Sequence, residues 1–167
     1  MWMNSDIAIY ICQFLDDWSK LQLLSINRKL HMIKNKVYYN QMTNMSKIYY
    51  LWYRDQMTNI FTHDIYYYTL PKNVTHITFT TNFDKDIKAF IPHTVTYLKF
   101  GSRFDRCIKD CIPESVTYLE FGKCFNQNIK DCIPNGVTVL KFGRYFNQNI
   151  RDCIPNGVTV FGIWSRF

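Results

Sequence analysis

The chain of 167 residues lacks features that several large classes of protein require. It has no apolar run long enough to cross a bilayer, since its best candidate, residues 7–15, is short and contains Gln13. Its N-terminus has neither a basic segment nor the apolar stretch of a secretion signal. It also contains no Gly-rich phosphate loop, no Gly-x-Ser-x-Gly elbow and no His-Glu-x-x-His helix. We therefore expect a cytoplasmic, non-enzymatic chain that contacts no membrane and needs no cofactor.

The charge and cysteine content narrow the choice of partner. Six cysteines are present, and we expect them to be reduced because no export is expected. The net charge of +7 raises the question of a nucleic-acid partner. The cations are spread along the chain, often beside Asp, and form no dense Lys/Arg patch. A charged, solvated surface is the simpler interpretation, and we do not expect nucleic-acid binding.

A step of 21 residues dominates the second half of the chain. The prolines follow it at Pro71, Pro92, Pro113, Pro134 and Pro155. Two columns of phenylalanine keep the same step, Phe79, Phe100, Phe121 and Phe142 in one and Phe83, Phe104, Phe125 and Phe146 in the other. A fixed period of this size predicts a solenoid in which each repeat forms one coil.

Each repeat contains a short strand pattern. In Val95-Thr-Tyr-Leu98-Lys-Phe100 the apolar residues stand at the first, fourth and sixth places. Leu98 and Phe100 lie two apart, so both face inward in an extended strand, and Lys99 between them faces out. Gly101 ends the strand and permits a tight turn. Stacking of such coils predicts a parallel sheet with strands about 4.8 Å apart.

The return part of the coil resembles a known repeat. The unit Phe146-Asn-Gln-Asn-Ile150, followed by Ile154-Pro155, resembles the FNIP repeat, which is named for its Phe, Asn, Ile and Pro. The resemblance spans residues 70–162 and implies a variant of the leucine-rich repeat. The common unit has about one more residue between Phe and Pro, and a Pro where Asn128 and Asn149 stand here.

The first forty residues have a helical pattern instead. Ile7, Ile11, Phe14 and Leu15 follow the spacing of an amphipathic helix. We expect Ser5 to cap this helix, Asp17 to cap a second one and Asn27 to cap a third. The second helix carries Leu21 and Leu24, and the third carries Leu30, Ile33 and Val37. Three short helices with short links predict a compact helical head.

Residues 3–37 resemble an F-box. The resemblance rests on two segments, Asp6-Ile7 through Phe14-Leu15-Asp16 and Leu21 through Ile26-Asn27-Arg28-Lys29-Leu30. At the entry to the first helix, Met3-Asn4 stand where the family usually has Leu-Pro. The resemblance implies docking on a Skp-type adaptor, which joins the chain to a cullin scaffold. The residues it implies for this contact are Met3, Asn4, Ile7, Ile11, Phe14, Leu15, Leu21 and Leu24.

The pairing of an F-box with FNIP repeats implies a function. Such a chain would be a substrate-recognition adaptor of a cullin-type ubiquitin ligase, with the repeats holding the target protein. The combination is similar to proteins of amoebae and of their large viruses, which would place it in a host cytoplasm. Two other functions stay open. One is a repeat protein for interaction or structure whose head meets no adaptor, and the other is a basic nucleic-acid-binding protein.

Between head and repeats lies a connector, residues 38–69, that is rich in Tyr and poor in Gly, Ser and Pro. Its composition is not that of a flexible linker. We expect a packed segment with a helix near residues 45–58 that covers the first coil. The predicted fold is therefore α+β, with a three-helix head over 3–37, a connector over 38–69 and a parallel β-solenoid over 70–167.

The outward strand positions are the predicted contact surface for a target protein, because solenoids commonly bind there. The residues predicted to bind are His76, Tyr97, Lys99, Tyr118, Glu120, Val139 and Lys141. Tyr97 and Tyr118 would stand side by side, and Tyr is a favoured interface anchor.

Three further columns are interpreted as structural. Cys111, Cys132 and Cys153 form one, but a straight ladder is a poor tetrahedral metal cage, so we expect core thiols and no metal. Asp110, Asp131 and Asp152 form another, beside Lys109, Lys130 and Arg151, and we expect a solvated edge before each Pro. Asn126 and Asn147 are predicted to form an Asn ladder that bonds turn backbone. At the end of the sequence, Trp164 and Phe167 are expected to cover the last coil.

Overall fold

Three short helices precede a seven-stranded parallel sheet in the part of the chain that the computed structural model describes, residues 4–26, 28–39, 41–44, 51, 53–62 and 69–163. The helices are α1 (Ser5–Cys12), α2 (Asp17–Leu23) and α3 (Arg28–His31), and a 3-10 turn follows at Lys34–Lys36. The strands are β1 (Thr43–Asn44), β2 (Asn59–Thr62), β3 (His76–Phe79), β4 (Tyr97–Lys99), β5 (Tyr118–Glu120), β6 (Val139–Phe142) and β7 (Val160–Ile163). The predicted helical head and coil stack are confirmed.

The helix caps differ from the prediction by one residue. The α1 cap is Asn4, whose side-chain oxygen accepts from the Asp6 amide at 3.0 Å, while Ser5 lies inside the helix. The α2 cap is Asp16, which accepts from the Ser19 amide at 2.7 Å. In both places two capping residue types stand side by side, so composition alone does not choose between them. Asn27, the expected cap of α3, lies outside the described residues.

Only two residues of the apolar stripe predicted for the first helix, Ile11 and Leu15, are half-buried, and the other two face solvent. Ile7 and Phe14 are 54% and 73% exposed, whereas Ala8 and Cys12 are buried. Small side chains four residues apart allow α1 to pack closely against α3. Periodicity points to the bulkiest apolar residues, and here two of these lie on the outer side of the helix.

Consecutive strands pair in parallel and in chain order. From β3 onward the pairing follows the step of the proline column, so that Leu98 lies opposite Leu119, and Leu119 opposite Leu140. All three leucines are fully buried, which confirms the inward positions. The repeat phase read from the prolines therefore gives the register of the sheet.

The sheet begins inside the connector, earlier than the predicted start of the solenoid at residue 70. Thr43 pairs with Ile60, and Ile60 pairs with Ile77, so two shorter coils precede those of the regular repeat. In the described part of the connector Tyr39 and Tyr53 are buried. The helix expected near residues 45–58 lies largely outside the described residues, and its described end is a 3-10 turn at Arg54–Gln56.

The coil interior contains two phenylalanine ladders. In the central coils Phe100 and Phe121 stack with ring centroids 5.3 Å apart, and Phe104 and Phe125 stack at 6.1 Å. The two ladders also touch each other, with Phe121 and Phe125 at 4.0 Å. These rings are fully or almost fully buried. Aromatic stacking adds to their area burial, so the ladders hold the coils together.

Polar ladders tie neighbouring coils at the corners. The Asn126 side-chain oxygen accepts from the Asn147 amide at 2.9 Å, and that of Asp105 accepts from the Asn126 amide at 2.9 Å. Thr117 and Thr138 form a second ladder, in which the amide and hydroxyl of Thr138 donate to the Thr117 carbonyl. Of the predicted Asn ladder, Asn126 bonds the backbone of the next coil, and Asp105 takes the same role one coil earlier. Each bond joins one coil to the next, and so stabilises stacking rather than a single turn.

Gly101, Gly122 and Gly143 serve close backbone approach, and not the special turn conformation that the sequence suggested. None of the described glycines has a positive φ. A β-carbon built on Gly122 would lie 2.0 Å from the carbonyl oxygen of Gly101 in the coil below. The glycine column is therefore a contact between stacked main chains.

The acidic column before each Pro has a backbone cause. Asp110, Asp131 and Asp152 are exposed and adopt the left-handed conformation, with φ of 58°, 57° and 57°. Asp tolerates this region better than most residues, because its short polar side chain bonds locally. In the first of these coils Ala89 has the same φ of 57°.

Replacement of Ala89 by Gly is expected to raise the free energy of unfolding by about 1 kcal/mol, because glycine removes the left-handed penalty. The matched control is Ala8→Gly in α1, which is expected to lower it by about 1 kcal/mol. Urea denaturation of the three proteins measures both changes. A destabilised Ala89→Gly variant would contradict the assigned conformation.

Candidate interaction surfaces

The seven predicted target-contact residues lie together on the outer face of the sheet. His76, Tyr97, Tyr118 and Val139 pair in register and form one column. Lys99, Glu120 and Lys141 pair in register and form the column beside it. All seven are partly exposed. We call these two columns the strand face.

An aromatic stack forms the first column. The rings of Tyr97 and Tyr118 are 4.3 Å apart and nearly parallel, and the His76 ring follows at 5.2 Å. His76 Nδ1 lies 2.8 Å from the Thr75 hydroxyl. Partial burial lowers the pKa of His76, which favours the neutral imidazole in the stack. The column is thus an ordered apolar strip with polar edges.

A hydrogen-bonded network forms the second column. Lys99 Nζ lies 2.7 Å from Glu120, and the Tyr118 hydroxyl donates to the same carboxylate. Lys141 Nζ donates to the Tyr118 oxygen at 3.1 Å and lies over its ring. Glu120 therefore holds both columns in one arrangement.

The protonation states in this network follow from its contacts. Partial burial pushes the pKa of Glu120 upward, but the hydrogen bonds from Lys99 and Tyr118 and the charges of Lys99 and Lys141 outweigh it, so the pKa is lowered. Partial burial, with the bond to Glu120, raises the pKa of Tyr118. Glu120 is therefore an anion at neutral pH, and Tyr118 keeps its proton to donate.

The connector contributes residues that the sequence interpretation missed. Thr78 pairs with Lys99, and Phe61 pairs with Thr78, so these two residues extend the second column by two strands. A shallow groove of about 570 Å³ runs beside this column, and Met42 and Phe61 form one end of it. Lys99 and Glu120 also line it. The sequence did not predict these residues because the connector coils are shorter and do not follow the spacing of the repeat.

A second surface lies on the outer side of the head. Ile7 and Phe14 belong to it, and the Tyr10 ring meets Phe14 edge-on at 5.3 Å. Tyr10 and Trp18 are also more than half exposed and were not predicted. We call Ile7, Tyr10 and Phe14, which follow one another at helical spacing, the helical surface. Exposed apolar side chains grouped in this way are typical of a contact site.

The other residues implied for the adaptor contact have different placements. Ile11, Leu15 and Leu21 are half-buried. Leu24 is fully buried and cannot touch a partner on this surface, so it is corrected to a core residue. Asn4 is exposed, and its side chain caps α1. Met3 lies outside the described residues.

A buried ion pair fixes the head to the connector. Lys20 Nζ lies 2.8 Å from Asp17 and 2.9 Å from the Tyr38 carbonyl oxygen. The second Asp17 oxygen accepts from the Gln41 amide. Lys20 also lies over the Tyr39 ring at 5.9 Å. These bonds join α2 to the start of the connector.

The cysteine column is structural in its placement. Cys111 and Cys132 are buried, and each sulfur lies 3.2 Å from the carbonyl oxygen two residues before it. Burial raises the pKa of both thiols, which disfavours the reactive thiolate. Among the described residues no group of three His, Cys, Asp or Glu is placed to hold a metal ion. Trp164 and Phe167 lie outside the described residues.

Within the described part of the chain, every helix is too short or too polar to span a bilayer.

Comparison with known proteins agrees with the coil geometry. The FNIP Repeat family model matches residues 65–102, 85–124 and 125–161. No curated protein matches the chain. A solved structure described as CroV588, a novel circular LRR protein, is similar at 36% identity with a TM-score of 0.60. The match covers 65% of this chain and 17% of that one, so this chain corresponds to a small part of the other protein's length.

The family matches together cover more than half of the chain, and they contain strands β3 to β6 with their glycine, phenylalanine and proline columns. The shared features are the same ones that set the register of the sheet. The chain belongs to the FNIP repeat family.

Proposed function

We propose that this protein is a non-enzymatic substrate-recognition adaptor of a cullin-type ubiquitin ligase. The helical surface docks on a Skp-type adaptor, and the strand face holds the target protein. The observation that carries the proposal is the separation of two different surfaces on one core. Ile7 and Phe14 are exposed at the helical end, and the ordered Tyr97–Tyr118 column lies on the sheet.

The proposed mechanism is proximity. A ligase adaptor raises the rate of transfer by holding a target near the charged enzyme, and needs no reactive group of its own. Holding a target in one direction requires a stiff connection between the two surfaces. The buried Lys20–Asp17 pair and the buried Tyr39 support this, because they join α2 to the first coils.

The proposal predicts that the purified chain forms a complex with a purified Skp-type adaptor. Replacement of both Ile7 and Phe14 by Asp is expected to weaken this complex by about 100-fold or more, because central apolar anchors dominate such contacts. Isothermal titration calorimetry of the wild-type chain and the variant measures the change.

The matched control is Tyr145→Asp with Val160→Asp, which places the same two charges on exposed apolar side chains in the last coils, far from the head. It is expected to leave adaptor binding unchanged. If the wild-type chain fails to bind, or the double variant binds equally well, the ligase role is wrong. The protein is then a repeat interaction module that works without the adaptor.

A further inference from the structure

The coils carry their charge asymmetrically between their two sides. The strand side comprises strands β3 to β6 and the corner residues that follow each strand, 80–82, 101–103, 122–124 and 143–145. It carries five cations and one acid, namely Lys99, Arg103, Lys123, Lys141, Arg144 and Glu120. The return side is the rest of each coil over residues 71–157, and it carries seven cations and seven acids. The excess positive charge of these coils therefore lies entirely on the strand side.

Two cations of the return side lie against acids of the same side. Arg106 forms two hydrogen bonds to the Asp84 carboxylate, at 3.0 and 2.7 Å. Arg151 lies 3.9 Å from Asp152. The acids of the left-handed turns stand beside the cations of the neighbouring column. An acidic partner would gain little on this side.

The corner cations of the strand side have no such neighbours. Lys123 and Arg144 are exposed, and both lie over the ring of Tyr145, at 5.2 and 5.7 Å. Among the described residues neither of them forms an ion pair with an acid. Their column continues the wall of the groove, because Ser102 and Thr81 of the same column line it. The groove thus runs toward unpaired positive charge.

We infer that the strand face and its corners take an acidic, aromatic-containing segment of a protein. This rests on the proposed function and names the class of target. Carboxylates of the segment would meet Lys123 and Arg144, and an apolar or aromatic side chain would lie against the Tyr97–Tyr118 column. Coils about 4.8 Å apart and an extended chain of about 3.3 Å per residue fit a segment of roughly six residues between β2 and β6.

A nucleic acid fits this surface less well. Base stacking requires free aromatic faces, whereas the facing sides of Tyr97 and Tyr118 are covered by each other. The ionised Glu120 stands in the middle of the face, where it would repel a phosphate backbone. A protein segment can place a backbone amide or a hydroxyl against Glu120, so the same acid becomes a contact.

The test uses a fluorescent copolymer of Glu and Tyr as the probe, with poly-glutamate and a short oligothymidylate for comparison. Fluorescence anisotropy is read on the whole chain at physiological salt. We expect the copolymer to bind more tightly than either comparison probe. Charge reversal at Lys123→Glu with Arg144→Glu is expected to weaken copolymer binding at least 10-fold, and the milder pair Lys123→Gln with Arg144→Gln is expected to have a smaller effect.

The matched control is Lys130→Glu with Arg151→Glu, which makes the same charge change in the same two coils on the return side. It is expected to change affinity by less than about 2-fold. Equal losses in both reversed pairs would mean attraction by net charge alone, and would overturn the inference, as would tighter binding of the oligothymidylate. Failure of the copolymer to bind also overturns it, while the adaptor complex measured separately decides whether the proposed function stands.

Discussion

Gly122→Ala is expected to lower the free energy of unfolding by about 3 kcal/mol or more, which is a large part of the stability of a domain of this size. The added β-carbon would lie 2.0 Å from the carbonyl oxygen of Gly101 and 2.4 Å from its carbonyl carbon. Both contacts are main chain against main chain. No side-chain rotation relieves them, so the two coils must separate.

Gly162→Ala is the matched control, because it makes the same change in β7 with open space around it. The nearest atom to its added β-carbon would be Lys141 Cγ at 3.9 Å. Its free energy of unfolding is expected to stay within about 0.5 kcal/mol of wild type. Guanidinium denaturation measures both variants. Equal stability of the two would show that the coils do not stack as described.

Phe121→Ala is expected to lower the free energy of unfolding by about 3–5 kcal/mol, because it removes a ring from the centre of the stacked phenylalanines. The Phe121 ring stacks on Phe100 and Phe142 at 5.3 Å each and on Phe125 at 4.0 Å. Rings in the coils above and below are held by the same contacts and cannot collapse into the gap. The loss therefore includes both the buried area and the cavity left behind.

The control for this change is Phe161→Ala in β7. Phe161 is 41% exposed, and its ring meets Phe142 edge-on at 6.1 Å. This variant is expected to lose about 1 kcal/mol or less of its free energy of unfolding. Thermal unfolding followed by circular dichroism compares the two. A Phe121→Ala variant no less stable than Phe161→Ala would mean that the ladders do not form the core.

The repeated part of the fold was predictable because every column of equivalent residues recurs at the same interval along the sequence. Proline, phenylalanine and leucine positions each give the same repeat step, and a strand has only two faces. Once Leu98 and Leu119 are placed inside, Tyr97 and Tyr118 must lie outside and adjacent. The predicted strand face follows from this geometry alone.

The head and connector were less predictable for physical reasons. In α1 the residues that meet the core are Ala8 and Cys12, whose hydrophobicity is weaker than that of their exposed neighbours Ile7 and Phe14. In the connector the coils are too few and too short to show a period. The pairing of Ile60 with Ile77 closes a coil shorter than the repeat, and only the sheet reveals it.

The charge asymmetry of the coils was also hidden in the sequence. Cations such as Lys123 and Lys130 stand close together along the chain, so the linear pattern mixes the two sides. The coil places Lys123 at the corner beside the strand face and Lys130 on the neutral return side. A charge distribution that looks scattered along the chain becomes directional when the coils stack.

Both proposals depend on the register of the stacked coils, which native-state hydrogen exchange tests most directly. The Thr117 amide donates to Thr96 and the Thr138 amide to Thr117, each at 2.9 Å, so these bonds break only when coils separate. Among the described residues the Lys130 amide donates to the side chain of Asn128, two residues before it in the same coil. The account predicts that Thr117 and Thr138 exchange together in the slowest class, far behind Lys130. Exchange of Thr117 and Thr138 at the rate of Lys130 would contradict it.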